Sequence, residues 1–111
     1  MFVKFLCLAY GDEDGWNSLS AAEKDEALAN DEAISLRGSL MAPVKTEVKT
    51  VSNWGRKLEV VDRSYSGEDK LPLAGFSVIE AETVEEVIEL VAETPCARAN
   101  GYIEIRAFWA D

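Results

Sequence analysis

Four side chains in or near strand ends and turns are the best candidates for chemistry in this chain: Tyr10, Asp62, Tyr65 and Arg106. Asp62 closes the run 58–61 and precedes a polar turn. A carboxylate there either caps the turn's own backbone or faces a cleft. In a partly dry cleft its pKa rises with burial, which suits a general base. Arg106 sits between Ile105 and Ala107. Its guanidinium can clamp a carboxylate ligand through two parallel hydrogen bonds, or pair with Glu104 or Asp62 instead. Tyr65 either closes the cleft with its ring and hydroxyl or packs as a loop aromatic. Tyr10 ends the first apolar run and either lines the same cleft or packs at the edge of the core.

Other chemistries are poorly provided for. The chain has no histidine, the commonest acid/base near neutral pH and the commonest metal ligand. It has no glycine-rich phosphate loop, no activated-serine motif and no close cysteine pair of the zinc type, so no cofactor is expected. Cys7 lies inside an apolar run without a histidine partner, and with Cys96 it reads as a buried free thiol. Asp12, Glu13 and Asp14 lack the spacing of a calcium loop and read as a solvated turn, so no metal is expected either. Arg63 reads as a surface residue that offsets local acidity.

Eleven basic against twenty-one acidic side chains give a net charge of -10 over 111 residues. That balance disfavours a nucleic-acid backbone or an anionic membrane as partner. The apolar stretch 2–10 contains Lys4 and is too short to span a bilayer. It also lacks the basic start and cleavage region of a secretory signal, so a cytoplasmic location is the natural expectation.

The elements that must position these residues form one domain over 1–111. Residues 2–10 read as a strand covered on both faces. Ser20-x-x-Glu23 is a capping box that opens a first helix, whose end lies between Ala29 and Leu36. Val44, Thr46, Val48 and Thr50 alternate with Lys45, Glu47 and Lys49, as in a half-exposed strand. The turn Ser52-Asn53-Trp54-Gly55 leads to a partner strand over 56–62, with Trp54 either a hairpin-tip contact or a partner anchor. Residues 76–80 form another strand. Thr83-x-x-Glu86 opens a second helix with Val84, Val87, Ile88 and Val91 at helical spacing, and Pro95 marks its stop. Residues 102–109 close the domain as a strand. This order predicts an α+β domain, a mostly antiparallel sheet with two helices over one face. The large groups on the other face call for a second subunit to cover them.

Several of these features recur together elsewhere. They are Tyr10 at a strand end, Asp12-Glu13, Trp16, Leu19-Ser20, Gly75-Phe76, Pro95 and Glu104-Ile105-Arg106. In that set the chain resembles the YCII-related proteins, the group that carries a DGPF domain. Against that group's motif Asp-Gly-Pro-Phe-Ala-Glu-Thr-Lys-Glu, Asp62 and the aromatic Tyr65 align, followed by Glu68 or Asp69 and Lys70. Arg63 and Ser64 stand where the motif has glycine and proline, which implies a different turn. The resemblance implies a ferredoxin-like sheet whose domains pair as a homodimer in an α/β-barrel-like assembly with a cleft near the sheets. Some broader relatives use a His-Asp pair on halogenated aromatic compounds, and a chain without histidine cannot follow them.

The leading expectation is a small-molecule-binding protein with a polar cleft formed by Tyr10, Asp62, Tyr65 and Arg106. Its ligand would be a small organic anion or a phenol-like compound. Two alternatives stand beside it. One is a structural or protein-interaction module without ligand chemistry. The other is a lyase- or isomerase-like enzyme that uses Asp62 as general acid/base.

Overall fold

The structure, a computed structural model, describes residues 1–67 and 69–109. Glu68, one of the acidic residues aligned with the family motif, lies outside the described residues. The chain runs β1 (Val3–Tyr10), α1 (Glu13–Asn17), α2 (Ala21–Leu36), β2 (Leu40–Pro43), β3 (Thr50–Ser52), β4 (Glu59–Val61), β5 (Leu73–Ala81), α3 (Val84–Val91), α4 (Pro95–Arg98) and β6 (Tyr102–Ala107). A 3₁₀ turn at Trp54–Arg56 separates β3 from β4.

Side-chain chemistry sets the helix boundaries. Ser20 and Glu23 form the reciprocal capping box of α2, the Ser20 hydroxyl accepting from the Glu23 N–H at 3.1 Å. Thr83 caps α3 by accepting from the Glu86 N–H at 3.3 Å. The acidic run at 12–14 is the start of a helix rather than a solvated turn. Asp12 accepts from the Gly15 N–H at 2.8 Å and opens α1. Pro95 does not simply end α3; it occupies the first turn of α4, where its missing N–H costs nothing.

Four antiparallel strands form a sheet in the order β2-β5-β1-β6. Alternation along each strand divides its side chains between two faces. Phe5 and Cys7 of β1 and Ser77, Ile79 and Ala81 of β5 point under the helices and are buried. Ile34 of α2 and Val87 and Val91 of α3 close over them, with Met41, Leu90, Ile103 and Ile105 packed at the margin. Full burial of a side chain such as Ile79 or Val87 contributes about 1.5–3 kcal/mol. Arg98 ties α4 to α2 through Glu23 and Glu26, at 3.5 and 3.1 Å, and also pairs with Glu93 at 3.6 Å.

The expected ferredoxin-like sheet in a dimeric, barrel-like assembly is corrected on several points. Among the described residues the sheet is open, with β2 and β6 as its two edges, and no barrel closes. The hairpin that was expected to supply strands to it forms a separate two-stranded sheet, β3-β4. The edge position is held instead by Leu40–Pro43, a strand the alternation pattern did not mark. Among the described residues four α-helices stand in place of two. The architecture is a mixed α+β domain with open sheets.

Residues 44–49 show why pattern failed there. They alternate cleanly, yet all six are exposed and none lies in a strand. Alternation fixes a strand only where one face finds an apolar surface to cover. The short hairpin stands away from the main sheet. The radius of gyration is 15.8 Å, against about 13 Å for a compact domain of this length.

Candidate functional site

The four residues singled out from the sequence divide between two places. Tyr10 and Arg106 lie on the face of the sheet away from the helices, with Tyr10 opposite Tyr102 and Leu6 opposite Arg106 in the β1–β6 register. Glu104 lies on the same face between them. Burial pushes the Tyr10 phenol up, the Glu104 carboxylate adds to the rise, and Tyr65 is near enough to contribute. The Arg106 guanidinium acts the other way on that phenol. Arg106 pairs with Glu104 of its own strand at 3.7 Å, and its side chain is 66% exposed. This arrangement is an open polar patch, and none of Tyr10, Glu104 and Arg106 lines either of the two hollows described below.

Asp62 is not brought to Arg106. It follows β4 and meets the Lys49 ammonium at 2.5 Å, with its side chain 76% exposed. Asp62 stands in open solvent rather than in a closed cleft. The proton-transfer reading therefore has no buried carboxylate at this position. The neighbouring turn is held by other groups. Thr50 donates to the Arg63 carbonyl at 2.6 Å, and the Ser64 and Ser66 hydroxyls meet at 2.7 Å. Tyr65 is 92% exposed at the rim of a hollow of about 270 Å³ beside the hairpin, which neither Asp62 nor Arg106 lines.

A second cavity, of about 290 Å³, lies within the domain itself, between α2, α4 and the β1–β5–β2 strands. Its origin is legible in the strand register. On the helix side of the sheet Phe5 faces Ile79, but the next pairs are Cys7 with Ser77 and Ala9 with Gly75. These small side chains leave the space beneath α2 unfilled. Gly75 is required there for a second reason. A Cβ on it would meet the Ala42 carbonyl oxygen of β2 at 2.8 Å, so only glycine lets the edge strand close on β5 at this point. The upper walls are Ile34, Val91 and Ile103, with Met41 and Pro43 at the β2 edge and Thr94, Pro95 and Cys96 around the start of α4.

Among the lining residues Asp31 alone carries charge. Burial pushes its carboxyl up, and among the described residues no hydrogen bond or ion pair offsets that effect. Cys96 is also pushed up, first by burial and then by the negative charge of Asp31. Burial raises Cys7, with a hydrogen bond to Ser77 opposing the rise. Both thiols are free and are held towards the protonated form. The cavity is thus mostly apolar, with one carboxylate and a few weakly polar groups. That composition suits small-molecule binding.

Reading by strand ends passed over this place. The signals were present, however. Ala27, Asp31 and Ile34 recur at the spacing of one helix face, so a carboxylate occupies a core position of α2. The alternate positions Cys7, Ala9, Gly75 and Ser77 are all small in strands that otherwise read as heavily apolar.

Among the described residues no group of three or more His, Cys, Asp or Glu side chains is placed to hold a metal ion. No described helix is long and apolar enough to cross a membrane. No family model matches the chain, and no curated protein matches it. The resemblance to YCII-related proteins accordingly assigns no role to any residue, and the site rests on its geometry.

Proposed function

We propose that this protein binds a small, compact organic molecule in the cavity beneath α2. The observation that carries the reading is the cavity of about 290 Å³, whose floor of small residues and apolar walls are joined by the carboxylate of Asp31. Its volume lies near the lower end for ligand pockets, about 300–1,000 Å³, which suits a molecule built around one ring or a short branched chain. Of the two ligand classes expected from the sequence, the phenol-like one fits these walls better. No basic side chain lines the cavity to hold an organic anion, and Asp31 would repel one. A reducing, cytoplasmic setting agrees with the two free thiols.

Phenol titrated into the protein, followed by amide chemical shifts, tests the reading. Perturbation of Ile34, Ser77 and Cys96 is expected in the wild type and its loss in Ala9→Leu, which places a larger side chain on the cavity floor. Equal perturbation of both proteins would remove the cavity from consideration.

A protein-interaction role is the second reading, favoured by the hairpin. Val51, Trp54, Leu58 and Val60 are all exposed there, and among the described residues β3 pairs only with β4. Two-stranded hairpins are marginal in water without a surface to pack on. Rapid hydrogen exchange at the Val51 and Val60 amides of the isolated protein is expected if the hairpin awaits a partner. Strong protection in dilute solution would count against that role.

A further inference from the structure

Asp31 distinguishes the cavity from an ordinary packing defect. A void left by small residues is lined by apolar groups and needs no charge. Here a partly buried carboxylate lies on the same face of α2 as the buried Ala27 and Ile34 and lines the cavity. Arg98, the cation of α4, is committed to Glu23, Glu26 and Glu93. No lysine or arginine lines the cavity. The carboxylate therefore faces a half-enclosed apolar space with its acceptor capacity unused by the described residues.

We infer that the cavity selects a small protonated amine, its ammonium donating to the Asp31 carboxylate and its hydrocarbon part lying against Ile34, Val91 and Ile103. This rests on the small-molecule reading above and specifies its ligand class. The physical case is electrostatic. A cation beside a partly desolvated carboxylate gains more than the same pair gains in water, and the bond is charge-assisted. The ammonium would also favour the ionised form of Asp31, against the upward push of burial. The two thiols are neutral and add no competing charge. The overall charge of -10 draws cations towards the protein and repels anions.

Four probes of nearly one shape test the inference: benzylamine, benzyl alcohol, toluene and benzoate, each titrated against wild type and Asp31→Asn by calorimetry and amide chemical shifts. Benzylamine is expected to bind wild type at least about tenfold more tightly than benzyl alcohol, with benzoate weakest. Asp31→Asn should bring benzylamine down to the level of benzyl alcohol in the same variant, with toluene, which makes no polar contact, as the reference for cavity occupancy. Equal affinity for benzylamine and benzyl alcohol in the wild type would overturn the amine inference and leave the cavity reading standing. So would an undiminished preference for benzylamine in Asp31→Asn. If none of the four perturbs the lining residues, the cavity reading fails and the inference fails with it.

Discussion

Along the helix side of the β1–β5 pair, two neighbouring stretches are packed in opposite ways. At one end Phe5 lies across from Ile79, and Val87 closes over them in the buried core. One register step further, Cys7 faces Ser77 and then Ala9 faces Gly75, and a cavity of about 290 Å³ lies between them and α2, the end of α3 and the start of α4. Backbone pairing is continuous through both stretches up to the irregularity between Ala9 and Tyr10. The difference therefore lies in side-chain volume, not in the sheet. It teaches that one half of this core is filled by large apolar side chains and supplies stability, while the other half leaves its volume unfilled. An interior at ordinary packing density does not retain such a space by default.

The sharpest way to break the comparison is to truncate one residue in each stretch and measure urea unfolding. Ile79→Ala removes a fully buried side chain from the packed half and is expected to cost about 3 kcal/mol, within the usual range for such deletions. Ser77→Ala, two residues earlier on the same face, removes a hydroxyl that already borders open space. Its expected cost is about 1 kcal/mol or less, the value of one hydrogen bond. Similar losses at the two positions would mean that the cavity half is as tightly coupled to folding as the core, and the distinction would collapse.

Much of the packed half could be read from the sequence, and much of the cavity half could not, for physical reasons. Strong local signals announced β1, the capping boxes of α2 and α3, and the helical spacing of Val87 and Val91. Each depends on contacts within a few residues or on a period that one buried face imposes. Other features depend on what lies opposite. Residues 44–49 alternate as a strand should but find no surface, while Leu40–Pro43 becomes the edge strand because Gly75 admits it. The cavity belongs to this second kind. It arises because small residues on β1 and β5 fall opposite one another, and a register of that sort is invisible until the strands are paired. Asp62 stands out in the sequence at the end of an apolar run and Arg106 between apolar residues of the closing strand. Whether such residues converge depends on where the hairpin goes, and the hairpin leaves the main sheet.

A smaller effect sharpens the comparison from the electrostatic side. Asp31 borders the cavity half, and burial raises its pKa above the ordinary 3.8. For a carboxyl shifted this way, the folded state holds its proton to higher pH than the unfolded state does. Folding stability therefore falls as pH rises from 3.8 through the folded-state pKa, and the loss persists above it. Asp31→Asn removes that dependence. Relative to wild type its gain should be absent at low pH, open across this window and then stay constant, at less than about 1 kcal/mol. Urea midpoints for both proteins across that range provide the measurement. A constant difference at every pH would show that Asp31 is solvated in the folded chain. The carboxylate would then sit at the cavity rim as a surface charge, and the cavity half would differ from the packed half in volume alone.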